Sequence, residues 1–325
     1  MMQRSGGQAW TSGRRWPCRA ALALVLGVAG CGGGGGGGEP LLVFGRAGTG
    51  VGEFSYPRAI ALGAGRVYVV DKSARIQCFD ERGRHLLEWS TPARDAGKPV
   101  GLGVGPDGRV YVADTHYARV LIYTATGELA GSFGGYGTAP GQFGLTTDVV
   151  VAADGTVFVG EYGGNDRVTK FSPQLQPLAT FGARESGEAR LARPQGLLLT
   201  PDGTVWVADS CNHRLCRFGS DGTYQGSIGR LGRGPGELRF PYGVDRLSDG
   251  SLVVVEYGNN RVQRLTTDGR SLGAWGTAGR SPGQLASPWA LAADGRDRVW
   301  IVDGANNRVQ VIDGARASTW TPIAP

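Results

Sequence analysis

The stretch 256-EYGNNRVQRLTTDG-269 has a near copy at 161-EYGGNDRVTKFSPQ-174 and a looser one at 303-DGANNRVQVIDG-314. A chain that repeats one phrase at an even interval is built from one repeated unit. Outward from this phrase, an apolar strand ending in an acid recurs as 67-VYVVD-71, 110-VYVAD-114, 157-VFVGE-161, 205-VWVAD-209, 253-VVVEY-257 and 299-VWIVD-303. The acids Asp71, Asp114, Glu161, Asp209, Glu256 and Asp303 lie 43, 47, 48, 47 and 47 residues apart. An arginine follows each acid by four to six residues: Arg75, Arg119, Arg167, Arg214, Arg261 and Arg308.

Within each unit, Val, Ile, Tyr, Phe and Trp alternate with small or polar residues, the pattern of half-buried strands. Asp-Gly pairs at 107–108, 154–155, 202–203 and 249–250 precede the second strand, and those at 221–222 and 268–269 follow the third. Gly accepts the positive φ that a two-residue hairpin turn needs, so these pairs mark tight reversals. Four antiparallel strands in 40–50 residues make one propeller blade. The 57 Gly and 17 Pro among 325 residues suit such a turn-rich, all-β chain.

A fourth strand is marked by an aromatic or Ile before Gly at Phe44, Phe133, Phe181, Ile228 and Trp275, with a degenerate Trp89-Ser90. The sixth unit has no such strand, and 41-LLVFG-45 has no unit of its own. The ends therefore predict a ring in which residues 41–45 complete the last blade and remove the open edges. The recurrent V-x-V-x-D, N-x-R-V and F-G-x-x-G-x-x-x-G-x-F elements, as in 133-FGGYGTAPGQF-143, resemble NHL repeats. The resemblance covers residues 41–315 and implies an all-β, six-bladed propeller of four-stranded antiparallel blades.

The N-terminus reads as an address. Basic Arg14 and Arg15 precede the apolar 20-AALALVLGVAG-30, too short to span a bilayer but suited to a secretory signal. Its end, 28-VAGC-31, resembles the lipobox of bacterial lipoproteins, which implies lipid attachment at Cys31. Seven glycines, 32–38, can bury nothing and form a flexible leash. The expected organisation is a signal over 1–30, a lipidated Cys and tether over 31–39, and a propeller over 40–325. It implies an exported protein held on the periplasmic side or the surface of a bacterial cell by its lipid alone.

The formal charge of +6 comes mostly from that address. Arg4, Arg14, Arg15 and Arg19 stand in residues 1–30 without an acid; taking these four from the 34 basic residues leaves 30 against 28 acidic. A body this close to neutral lacks the basic face that nucleic acid requires.

The acid–arginine pairs Asp71–Arg75, Asp114–Arg119, Asp209–Arg214 and Asp303–Arg308 recur too often to be a catalytic site. They read as clamps on the turn, with the arginine fork bridging acceptors. A site belongs instead on the face with the longer loops, where Arg58, Val100, Thr147, Gln195, Tyr242 and Trp289 occupy equivalent positions with different chemistry. Arg58, Gln195, Tyr242 and Trp289 are types that anchor protein, peptide or glycan partners. Glu161 and Glu256, replacing Asp in two units, are candidates for the same site; with Asp148 and Asp245 they would form an oxygen-rich set suited to Ca²⁺ if all four converged.

Some NHL-type propellers are peptidyl-hydroxyglycine lyases that hold zinc with three histidines. His85, His116 and His213 occupy non-equivalent positions here, and the inner-strand openings carry none. No serine or cysteine nucleophile motif is present. Cys211 and Cys216 flank one hairpin turn and are candidates for a disulfide in an exported protein. The reading is an envelope-anchored, monomeric binding or scaffold propeller without a cofactor; the alternative is a metal-dependent lactonase- or lyase-like enzyme with its site in the channel.

Overall fold

The computed structural model describes residues 38–183 and 186–324. The signal read at 1–30, Cys31 and the glycines as far as Gly37 lie outside the described residues. Among the described residues no helix is long and apolar enough to cross a membrane.

Each repeat folds as one four-stranded antiparallel meander. Blade one comprises Pro57–Gly63, Arg66–Asp71, Arg75–Asp80 and His85–Ser90, from the inner strand outward. Blades two to five repeat this order from inner strands Gly101–Val104, Leu145–Val151, Pro194–Leu199 and Pro241–Arg246. Blade six contributes Pro288–Ala293, Arg298–Asp303 and Arg308–Asp313, and its outer strand is Leu42–Phe44. Leu42, Val43 and Phe44 pair with Val311, Gln310 and Val309, so the ring closes as the end-phasing of the repeats predicts.

A blade is apolar on both faces, so it can be covered only by its neighbours. The described core accordingly divides into clusters shared by adjacent blades. Val69, Val302 and Trp300 join blades one and six; Val112, Leu121 and Val70 join blades one and two. The inner strands come very close around the axis. A side chain on Gly101 would put its Cβ 2.3 Å from the Thr147 carbonyl oxygen, so glycine is required there.

The acid of each second strand and the arginine of each third strand form the clamp that the sequence suggests. Arg119 Nε lies 2.8 Å from Asp114, Arg214 Nε 2.8 Å from Asp209, and Arg308 Nε 2.7 Å from Asp303. In blade one the contact is looser, Arg75 Nη2 to Asp71 at 3.6 Å. The fork also holds the loop that enters the blade: Arg308 Nη2 donates to the carbonyls of Ser281 and Gln284, both at 2.8 Å. The buried acid completes the lock by accepting a backbone N–H from the same loop, Ala286 to Asp303 at 2.7 Å and Ala192 to Asp209 at 2.7 Å.

Two expectations are corrected here. Glu161 and Glu256 are fully buried members of this clamp and face no ligand space. Glu161 pairs with Arg167 at 2.6 Å and Glu256 with Arg261 at 2.5 Å, and each accepts a loop N–H, from Gly144 and Arg239. Their strand position is that of Asp303, so alternation turns them between the blades. Cys211 and Cys216 are both free thiols. Cys211 is exposed on the 3-10 turn Ser210–Asn212, whereas Cys216 points into the core between blades, 3.5 Å from Asp209 Oδ2. The left-handed residue that ends the turn, His213, sends the chain inward and separates the two sulfurs.

Candidate functional site: the channel mouth

The six non-equivalent positions converge. Arg58, Val100, Thr147, Gln195, Tyr242 and Trp289 ring the mouth of one cavity of about 390 Å³ along the axis. They do so because each lies at the start of an inner strand: Arg58, Gln195, Tyr242 and Trp289 are second residues, Thr147 is a third, and Val100 immediately precedes Gly101.

Most aromatic side chains at this mouth already have an engaged neighbour. Tyr242 stacks on Tyr257 with centroids 4.7 Å apart and meets Trp289 edge-on at 5.0 Å. Tyr56 and Tyr257 also approach Trp289 edge-on, at 6.0 and 5.7 Å. The Arg58 guanidinium lies over Trp289 at 4.8 Å, Arg193 over Tyr162 at 5.0 Å, and Lys72 over Tyr56 at 4.1 Å. Such stacking fixes a cation while leaving its N–H fork available.

Several polar atoms here are unanswered. Arg58 Nε, Thr147 Oγ1 and Gln195 Nε2 have no hydrogen-bond partner, although Thr147 and Gln195 are only 3% and 6% exposed. Burial lowers the pKa of Arg58, and nearby Arg193 lowers it further while Tyr56, Tyr162 and Tyr242 oppose this.

Deeper in the cavity lie two half-buried carboxylates. Asp148 accepts the backbone N–H of Leu197 at 2.9 Å, and Asp245 that of Ala293 at 2.7 Å; each therefore bridges to the next blade. Loss of solvation pushes Asp148 up to about 7, helped by repulsion from Asp245, and pushes Asp245 up to about 6.

The carboxylate set considered for Ca²⁺ does not assemble, because Glu161 and Glu256 are locked in clamps between blades. No group of three His, Cys, Asp or Glu is arranged to hold a metal among the described residues. Asp148 and Asp245 also spend oxygen lone pairs on backbone N–H groups, so the donor set does not fit a Ca²⁺ cage. The histidines are dispersed: His85 starts the outer strand of blade one, His116 is exposed on a turn, and His213 Nδ1 accepts the N–H of Phe240 at 3.1 Å.

Sequence reasoning missed Tyr56, Tyr162, Arg193 and Tyr257 at the mouth. Alternation was an available signal, since the residue after a buried acid must face the opposite way. The residue before the strand-opening Pro enters the mouth through its positive φ, 55° at Tyr56 and 54° at Arg193.

Residues 191–218, from the loop entering blade four through its third strand, match the NHL repeat model. NHL repeat-containing protein 3 of Mus musculus is 28% identical over 180 residues, 48% of this chain and 49% of that protein. The Homo sapiens protein of the same name is 28% identical over 162 residues, 46% and 47% of the two chains. The chain thus spans about half the length of the curated relatives it matches. Among solved structures, a streptogramin B lyase superposes with a TM-score of 0.58 at 21% identity, covering 79% of this chain and 83% of that one. A gluconolactonase from Xanthomonas campestris gives 0.61 at 16% identity, covering 80% and 87%. At these identities the likeness is one of fold.

Proposed function

We propose that this protein is a binding module that presents its channel mouth to a peptide or protein partner. The observation that carries the reading is the convergence of six chemically different side chains on one cavity, three of them with polar atoms left without a protein partner. Buried polar atoms are ordinarily satisfied, and an unmet one costs about 1–3 kcal/mol. Three gathered at one opening support a polar ligand there.

A glycan fits less well than a peptide. Sugar recognition wants a free aromatic face, and the rings of this mouth are engaged by Arg58, Arg193, Lys72 and one another. The near-neutral body argues against nucleic acid. The sequence of residues 1–31 supports export and tethering through Cys31, which would set the ring to work in the cell envelope as a monomer.

Panning a random-peptide display library on the purified protein should enrich binders. Trp289→Ala, and Val100→Trp to fill the mouth, should each reduce capture of those binders at least tenfold. Trp289→Ala should also lower the melting temperature, because Trp289 packs against two core clusters, so both variants are assayed well below their melting temperatures. Undiminished capture by both folded variants would remove the mouth from the function.

A second reading, a channel enzyme, is favoured by Asp148 and Asp245. Carboxyls held near about 7 and about 6 are suited to proton transfer. The lyase and gluconolactonase named above share the fold, which supports this reading only by analogy. A metal-dependent form finds no ligand set among the described residues.

A further inference from the structure

Among the described residues, the rim of the channel has two arginines without a salt-bridge partner, Arg58 and Arg193, and the Asp166 carboxylate beside Arg193 is engaged by its backbone N–H. Arg58 makes no hydrogen bond to the protein through Nε and is held by Trp289 alone; Arg193 is exposed and held over Tyr162. Every clamp arginine described above makes an ion pair with a carboxylate, whereas neither of these two guanidinium groups does. Gln195 Nε2, an N–H donor, is unpartnered beside them at the same opening. The rim therefore offers two guanidinium forks to an oxyanion, with the buried Gln195 amide and Thr147 hydroxyl behind them.

Shape narrows the class. The donors surround the mouth of a channel, so the ligand enters end-on. The flank of a folded surface or the middle of an extended chain cannot reach all of them. The carboxylates of Asp148 and Asp245 line the same cavity deeper in, and they repel an anion that passes the rim. A chain end with its charge at the tip meets these conditions. We propose that the channel mouth captures the free C-terminal carboxylate of a peptide, with the Arg58 fork as its principal contact, Arg193 beside it, and the buried Gln195 and Thr147 lining the wall behind. This assignment rests on the binding reading above and names the chemistry of its ligand.

The test uses an equimolar pool of N-acetylated tripeptides with free C-termini, the matching pool of C-terminal amides, and acetate, each titrated by calorimetry. The acid pool should bind at least tenfold more tightly than the amide pool. Arg58→Gln should weaken the acid pool about tenfold and leave the amides unchanged, and Arg58→Lys should recover only part because it lacks the planar fork. Arg58 makes no ion pair in the protein, so an unchanged melting temperature is expected as a folding control. Equal binding of acids and amides, with loss of both in Trp289→Ala, would overturn the carboxylate assignment and keep the binding reading. Acetate binding as tightly as the peptide acids would reassign the site to small carboxylates and overturn the peptide assignment. No binding of either pool would also overturn it, and library panning then judges the broader reading separately.

Discussion

Asp148 stands where its neighbours in the ring are small, and Asp245 lies two residues beyond the corresponding Gly243. The residue paired one step before the blade's acid is Ala59 opposite Val70, Gly101 opposite Ala113, Gly243 opposite Val255 and Ala290 opposite Val302; in blade three it is Asp148 opposite Gly160. Each Asp answers a backbone N–H of the next blade, so each is a bolt between inner strands. The carboxylate is nevertheless a strained choice, because both groups titrate far above the unfolded value of about 3.9. A raised folded pKa means that the native state holds protons the unfolded chain has released. The resulting stability is full below about pH 4 and lost as pH rises through about 6 and about 7. Asp148→Asn keeps an oxygen for the Leu197 N–H and discards the charge. It should raise stability at about pH 8 by on the order of 1–2 kcal/mol, after allowance for screening by channel water, and change little at about pH 4.5. Urea midpoints at the two pH values decide this; equal shifts at both, or a loss at the higher, would show that the charge is not the destabilising feature. The position of Asp148 was legible, since the inner strands carry small residues at its equivalents. The fate of Glu161 and Glu256 was less so, because a longer acid looks like a departure from the motif until its register with Arg167 and Arg261 shows the same pairing.

Between blades, a second device ties neighbours together, and it is unevenly distributed. Asn307 Oδ1 accepts the N–H of Tyr56 at 2.7 Å, Asn260 Oδ1 that of Ser287 at 2.8 Å, and His213 Nδ1 that of Phe240 at 3.1 Å. Each latch residue ends the turn before a third strand in the left-handed region, with φ of 55°, 52° and 56°, a conformation Asn tolerates well. In blades one and two the same place is held by Ala74 and Ala118, with φ of 63° and 50°, and the alanine side chain has no group to accept the N–H. Both seams of blade two therefore lack the latch. Its clamp is also incomplete: Asp114 Oδ1 and Arg119 Nη2 have no partner, because the segment before Gly101 does not follow the loop pattern that supplies an N–H elsewhere. Its inner strand, Gly101–Val104, has four residues, against six in blades four, five and six. Hydrogen exchange should find blade two opening first, with Gly101–Val104 exchanging at least tenfold faster than Pro241–Arg246 of blade five. Uniform protection around the ring would mean that interblade packing alone sets local stability. The latch was hidden from the sequence for a physical reason. N-x-R-V announces a turn, but a side chain that reaches the backbone of the next blade is visible only once the ring brings residues 307 and 56 together.

Around the ring, closure is the one contact that no repeat can supply to itself. Residues 42–44 and 309–311 are joined across almost the whole length of the propeller, so folding must meet a large loop-closure entropy before this pairing is rewarded. The sequence disclosed this step through its phasing, with an outer strand too many at one end and one too few at the other. What the phasing could not disclose is the packing that holds the step in place. Phe44 lies 5.0 Å from Phe79, 6.4 Å from Phe54 and 6.3 Å from Trp300, so the closing strand drives a ring between blades six and one. The Trp275 indole N–H donates to the Gly38 carbonyl at 2.7 Å, and Thr321 pairs with Ala274, so Gly38 and Thr321 also lie along blade five. A chain beginning at residue 46 should lose about 3–5 kcal/mol relative to one beginning at residue 38, from the combined loss of the partly buried Leu42 and Phe44 and of the strand pairing. It should also self-associate, because Arg308–Asp313 becomes an unpaired edge that can recruit a strand from another molecule. Urea midpoints and sedimentation of the two chains make the comparison. Equal midpoints and two monomers would mean that five blades and a three-stranded sixth hold the ring shut by side-chain packing alone, and the closing strand would then be a cover on an edge and not the fastener of the fold.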